Sequence, residues 1–212
     1  MLVQILVDNP NSWFVPYARK LVNRIVAMGK DATLLHKAVD VKQGDILALL
    51  SCERIFKNLY LNQYNLVVHA SELPKGKGMS PLTWQILEGR NSIPVTLFEA
   101  SQNFDDGPIY AQDQIYYEGH ELISELRTKL GDKINDLVLK FIENHPNNIA
   151  KTQIGESTFY DKRQPKDSEL NIDKSIAEQF NLLRVVDNER YPAFFHHLGH
   201  KYILKVEKVH ES

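Results

Sequence analysis

His69 directly follows the apolar run Leu66-Val67-Val68 and precedes Ala70-Ser71 and a Pro74-Lys75-Gly76-Lys77-Gly78 loop. That pattern puts an imidazole at the carboxyl end of a strand, where open α/β sheets form their ligand crevices. The position suits a general acid or base, or a donor to a developing oxyanion, and a satisfied structural histidine fits it equally well. Further along, Gln102-Asn103-Phe104-Asp105-Asp106-Gly107 sets two carboxylates before a glycine. It lies between two strands, of which the first is expected to run to the same edge as His69. Asp-Asp-Gly is also an ordinary turn signal, but a His and an Asp at one sheet edge make a workable acid/base pair. The Lys75-Gly76-Lys77-Gly78 segment, just before a helix near Pro81, is either a solvated loop or a backbone cradle for substrate phosphates. His196, His197 and His200 fall across a predicted turn, with the first two on opposite faces and no Cys or carboxylate at ligand spacing beside them. No metal is expected there.

The elements that must position these residues follow from apolar periodicity. Val3 to Val7, Thr33 to Leu35, Ile46 to Leu50 and Leu66 to Val68 read as strands. They are apolar without alternation and so should be covered on both faces. Between the first two, Val15, Ala18, Leu21, Val22, Ile25 and Val26 recur at helical spacing, capped by Asn11 or Ser12 and stopped at Gly29. Ser80-Pro81 reads as an N-cap with proline in the first turn of a helix running to Gly89. Pro94 to Phe98 and Ile109 to Tyr117 are further strands, and a long helix covers about Glu121 to Asn144. Beyond 150 a charged crossing precedes a helix over Ser175 to Val185 and a hairpin, Ala193 to His196 and Tyr202 to Val206, turning at Leu198-Gly199. Its aromatics, Tyr191, Phe194, Phe195 and Tyr202, read either as hairpin packing or as a subunit contact, the second of which would make a homodimer through the hairpin.

Composition narrows the function. With 25 Lys+Arg against 27 Asp+Glu the formal net charge is -2, which lacks the positive excess of nucleic-acid binding. A small acidic or zwitterionic substrate fits better. The single cysteine, Cys52, forms no intramolecular disulfide and reads as a buried structural thiol in a reducing compartment. The amino terminus has no basic leader and reads as a strand, and no apolar run approaches the roughly 18 residues of a membrane span. A cytoplasmic protein without a membrane contact is expected.

The string from Val67 to Pro81, with Trp84, Gly89, Val95-Thr96-Leu97 and Asp105-Asp106-Gly107-Pro108-Ile109, resembles the core of the 10-formyltetrahydrofolate-dependent formyltransferases. That family includes glycinamide ribonucleotide, methionyl-tRNA and amino-sugar formyltransferases. Its pattern is Asn-x-His, a small residue, Ser and a Leu-Pro loop, then Asp-x-Gly. The resemblance implies an α/β fold with a mostly parallel, Rossmann-like sheet flanked by helices. It divides the chain into a catalytic domain over 1–150 and a crossing loop, helix and β-hairpin appendage over 151–212.

By the same resemblance His69 is the catalytic histidine and Asp105 the catalytic aspartate, which keeps the imidazole charged and relays protons. Asp106 falls on the variable position. Where the family has asparagine, this chain has Val67, with Asn65 as an imperfect substitute on the same strand face. The implied folate contacts are Gln102, Asn103, Phe104 and Gly107 on one loop and Ser51, Arg54, Ile55 and Phe56 on another. The implied substrate contacts are Ser71, Lys75, Gly76, Lys77, Gly78 and Met79. The chemistry is attack of a primary amine on the formyl carbon of 10-formyltetrahydrofolate, with no metal. The tail beginning at Asn188 resembles sugar N-formyltransferases of surface polysaccharide synthesis, and no room remains for the barrel domain with which methionyl-tRNA enzymes grip their substrate. An amino sugar linked to a nucleotide is therefore the expected acceptor. A formyltetrahydrofolate hydrolase, or an impaired folate- or partner-binding homologue, which Val67 permits, are the alternatives.

Overall fold

Val3, Ile5 and Val7 of the first strand point to one face of the sheet and Leu6 to the other, and all four are buried. Both faces of this strand are thus covered, as its unbroken apolar run requires. The computed structural model describes residues 1–209. Its central sheet has six strands, β1 (Leu2–Leu6), β2 (Asp31–Leu35), β3 (Gly44–Leu49), β4 (Asn62–His69), β6 (Ser92–Glu99) and β7 (Ile109–Tyr116), in the order β2-β1-β3-β4-β6-β7. The first four are mutually parallel, β6 is antiparallel to β4, and β7 is antiparallel to β6. The mostly parallel α/β sheet expected from the sequence is the observed one.

Helices α1 (Val15–Ala27), α2 (Pro81–Leu87) and α3 (Ile123–Asn144) supply one large apolar cluster with the odd residues of β1. Leu21 and Ile25 of α1 and Leu126 and Val138 of α3 are fully buried there, each stabilising the fold by about 1.5–3 kcal/mol. The other face is covered differently. Leu6, Leu47 and Leu49 meet Val41, Phe56, Leu59 and Leu61 from loops and single 3-10 turns. A third cluster joins Leu170 to helix α4 (Phe180–Val185) and to the hairpin of β9 (Ala193–His197) and β10 (His200–Leu204). The hairpin turns at Leu198 and Gly199, both at positive φ (48° and 80°), as a two-residue loop between twisted strands demands. No helix among the described residues is long and apolar enough to cross a membrane.

Several boundaries differ from expectation for local reasons. Neither Asn11 nor Ser12 caps α1, which starts at Val15. The Ser12 hydroxyl instead accepts from the Phe14 amide and bonds to the Ser51 hydroxyl. Ser80 precedes α2 in a left-handed conformation without a side-chain cap bond. Strand β4 begins four residues earlier than its apolar stretch, because the buried amides of Asn62 and Asn65 are satisfied by Gln4 and by the Leu59 carbonyl. Helix α4 is shorter than the expected Ser175 to Val185. Residues 175–179 form turns instead, closed by the Glu178 carboxylate on Ser175 and by the Gln179 side chain on Asn171.

Arg184 of α4 is 1% exposed and anchors the appendage. It donates to the Glu121 carbonyl at 3.1 Å and to Asn91 at 3.1 Å, and its Nη2 lies 3.4 Å from the Glu121 carboxylate. Burial pushes the Glu121 carboxyl up, but Lys129 and the amides of Glu118 and Gly119 outweigh it and hold the group down at about 2. A carboxyl held below its ordinary value stabilises the fold above that value and loses its contribution as the pH falls. Unfolding free energy should therefore decline from about pH 4.5 toward pH 2, by up to about 3 kcal/mol from this group. Urea titrations across that range should show a shallower decline in Glu121→Gln than in the parent protein.

Candidate active site

Residues of β4 alternate between the sheet faces, so Asn65, Val67 and His69 share one face while Leu66 enters the main core. Leu49 of β3 stands opposite Val67. The loop after β3 consequently leaves the sheet at the level of His69, which ends β4. The His69 side chain is 10% exposed. Its Nε2 lies 2.8 Å from the Gly76 carbonyl oxygen. A carbonyl only accepts, so Nε2 carries a proton and Nδ1 is left facing Asp105 Oδ1 at 3.8 Å. The ring is thus oriented by one fixed bond and presented to one carboxylate.

Asp105 reaches that place by a route opposite to the expected one. Strand β6 does not run to the edge where His69 lies. It pairs antiparallel with β4, Thr96 opposite His69 and Glu99 opposite Leu66. It therefore ends three residues, about 10 Å, behind the histidine. The loop 100–108 then folds forward again. It turns at Asp105, a non-glycine residue at φ 51°, and passes Gly107, where any Cβ would overlap the Glu99 carbonyl oxygen. The Asp105 carboxylate accepts from the Gly78 amide at 2.9 Å, so the Leu-Pro loop and the Asp-x-Gly loop are joined directly.

The Lys75 to Met79 segment is not a free anion cradle. Its amides are all occupied within the protein: Lys75 on the Glu72 carbonyl, Gly76 on the Thr158 hydroxyl, Lys77 on the Thr158 carbonyl, Gly78 on Asp105 and Met79 on the Tyr160 carbonyl. The reason is a short strand β5 (Lys77–Gly78) that pairs with β8 (Phe159–Tyr160). Lys77 is buried, and its Nζ sits 2.6 Å from Asp106 Oδ1. That contact, with Asn103 and the Lys77 charge, holds the Asp106 carboxyl below its usual range. Lys75 and Met79 remain exposed, whereas Ser71 is buried with an unpartnered hydroxyl.

Two features bear on the missing asparagine. Val67 packs in the second apolar cluster with Leu49, Phe56 and Ala100. Asn65 is no substitute, since its amide nitrogen donates to Leu59 at 2.9 Å and it is buried against Glu99. Burial raises the Glu99 carboxyl, against the bonds from Asn65 and Tyr110. Of the expected folate contacts, Gln102, Asn103 and Phe104 are exposed on one loop and Ser51, Arg54 and Ile55 on the other. Phe56 is buried as core, and Gly107 is buried beneath its loop. The backbone of the loop after β3 is partly committed as well, since Asp8 accepts from the Glu53 and Arg54 amides. Burial, then the nearby Asp8, pushes the Cys52 thiol up to about 12, so it has little thiolate character. His196 pairs with Glu169 at 2.9 Å, and among the described residues no group of His, Cys, Asp and Glu has the arrangement of a metal site.

The sequence offered no signal for the residues that arrive from beyond 150. Gln153 donates to the carbonyls of Asp105 and Gly107, both at 2.8 Å, and Thr158 holds Gly76. Residues 151–161, read from sequence as a crossing loop, thus line the site itself. The buried Lys77 and half-exposed Asp106 make an asymmetric prediction. Asp106→Asn strands a buried ammonium and should lower the urea midpoint, whereas Lys77→Met should be milder because it leaves only a hydratable carboxylate. Urea denaturation at pH 7 of both variants checks the order.

The chain is similar to known proteins in family and in fold. The Formyl transferase family model matches residues 25–141. The bifunctional polymyxin resistance protein ArnA of Wigglesworthia glossinidia brevipalpis is 31% identical over 156 residues, 72% of this chain and 23% of its own length. Methionyl-tRNA formyltransferase of Thermosipho melanesiensis is 28% identical over 154 residues, 71% of this chain and 50% of its own. The chain therefore spans 23% and 50% of the length of these two relatives. Three solved structures share the fold. Methionyl-tRNA formyltransferase from Clostridium thermocellum has a TM-score of 0.81 at 18% identity, covering 99% of this chain and 94% of its own. A sugar N-formyltransferase from a Shewanella species has 0.70 at 14%, covering 100% and 99%. HypX from Aquifex aeolicus in complex with tetrahydrofolic acid has 0.79 at 16%, covering 96% and 37%. With the family model matching more than half of its 212 residues, this chain belongs to the formyl transferase family.

Proposed function

We propose that this protein transfers a formyl group from 10-formyltetrahydrofolate to a primary amine of a small substrate, an amino sugar linked to a nucleotide. The observation that carries the reading is the His69–Asp105 pair, two largely buried side chains with Nδ1 and Oδ1 3.8 Å apart in a chain of the formyl transferase family. The folate derivative supplies a formyl group on a nitrogen that can leave. With its Nε2–H held by the Gly76 carbonyl, His69 supplies hydrogen-bond donation from a protonated Nδ1 where negative charge develops on the formyl oxygen. Asp105 stabilises the imidazolium and takes part in moving the proton released by the amine. Exposed Gln102, Asn103 and Phe104 beside Asp105, and exposed Arg54 and Ile55 on the loop after β3, are the folate contacts of this reading. The net charge of -2 favours a small acceptor over a nucleic acid, and a sugar N-formyltransferase matches the chain end to end, as a methionyl-tRNA formyltransferase also does.

Val67 supports a second reading, a folate-binding homologue with impaired turnover. No side-chain donor stands where the family pattern has asparagine, and Asn65 is committed elsewhere. Incubation with 10-formyltetrahydrofolate, with and without amino nucleotide sugars, separates the readings by tetrahydrofolate release. Amine-dependent release is the expected result, amine-independent release marks a hydrolase, and folate binding without turnover marks the impaired homologue. His69→Ala and Asp105→Asn should each lower kcat/KM about 100-fold or more. Activity within a few fold of the parent in either variant, with the fold intact, would remove that residue from the mechanism. Val67→Asn should raise kcat about tenfold, because one oxyanion donor is worth about 3 kcal/mol at full strength. An unchanged rate would mean that another group already donates.

A further inference from the structure

Asp105 holds a left-handed backbone conformation, φ 51°, which aspartate adopts more readily than most residues with a side chain but still at a cost in free energy. Its carboxylate is held by the Gly78 amide, and the next residue, Asp106, is held by Lys77. Both contacts come from the Leu-Pro loop, and neither touches the backbone of the turn. Gln153 does. Its Nε2 has two hydrogens and lies 2.8 Å from the carbonyl oxygens of both Asp105 and Gly107, so one amide bridges the two sides of Asp106. We propose that Gln153 is a positioning residue for Asp105, setting the turn that presents its carboxylate to His69. The inference rests on the formyl-transfer reading for its effect on rate, but not for its effect on the loop.

The placement of Gln153 is itself fixed. Two residues earlier, Lys151 and Ile109 exchange both backbone hydrogen bonds, at 2.7 and 2.8 Å. Five residues later, Thr158 and then β8 pair with Gly76 and β5. The glutamine is thereby suspended between β7, which follows the Asp loop, and β5, which follows the His loop. It lies beyond residue 141, where the family match ends.

The isosteric Gln153→Glu variant tests this, because a carboxylate keeps the shape but faces two carbonyl oxygens with no hydrogen to give. Gln153→Ala serves as the second variant and Asp105→Asn as the activity control. Amide hydrogen exchange of residues 104–107 and the separate kcat and KM for 10-formyltetrahydrofolate are the readouts. The expected result in Gln153→Glu is exchange at least tenfold faster in that loop, kcat at least tenfold lower, and KM within threefold of the parent. Loop exchange within twofold of the parent in both variants overturns the proposal, whatever happens to the rate. Faster exchange with kcat unchanged overturns it too, provided Asp105→Asn is impaired. If Asp105→Asn is as active as the parent, the formyl-transfer role of Asp105 fails, and loop exchange alone decides whether Gln153 sets the turn.

Discussion

The direction of β6 governs the site. Because it runs against β4, the chain leaves the sheet well behind the histidine, and the segment carrying the acid has to return over the sheet face to meet it. A return of that length in a few residues requires a sharp reversal, which explains Asp105 in the left-handed region and Gly107 pressed onto the Glu99 backbone. The reversal carries no regular hydrogen-bond ladder of its own, so its polar groups must find partners elsewhere. They find them in Gly78, Lys77 and Gln153. The commitment of every amide from Lys75 to Met79 follows from the same need, since the Leu-Pro loop is one half of the scaffold that holds the acid in place.

What the sequence disclosed of this arrangement was local. An apolar run ending in His69 and an Asp-x-Gly between two strands are visible as patterns, and so are the parallel strands, the long helix and the Leu198-Gly199 turn. Pairing direction was not visible, because an apolar strand with Val95-Thr96-Leu97 at its centre has the same composition whether it runs up or down the sheet. Nor was the occupation of the glycine loop. Gly76 and Gly78 read as open backbone, and only the two-residue pairing with Phe159–Tyr160 shows it closed. Gln153 carried no pattern at all, since a lone glutamine in a polar segment is ordinary until its neighbours in space are known.

The second face of the sheet sets another limit on the chemistry. Its apolar cover comes from loops, and Val67 belongs to that cover, touching the cluster that contains Phe56 and Leu49. A polar side chain at 67 would have to leave this cluster and turn toward the crevice. The residue is therefore at a border between packing and reaction, and its identity weighs one against the other. Asn65, deeper on the same strand, has already been claimed by packing: its amide satisfies the Leu59 carbonyl, and its own amide hydrogen and side chain meet Glu99.

Gly107 has a consequence for how this protein can change over generations. The position tolerates no side chain, because the obstacle is the backbone of Glu99 and not a rotatable group. Its neighbours Asn103 and Phe104 face solvent. One loop thus combines a site closed to any substitution with solvent-facing sites that the backbone leaves open, and any change in how this loop meets its ligand would have to come through the open ones. A mutational library built on this loop would keep its scaffold by holding a single codon constant.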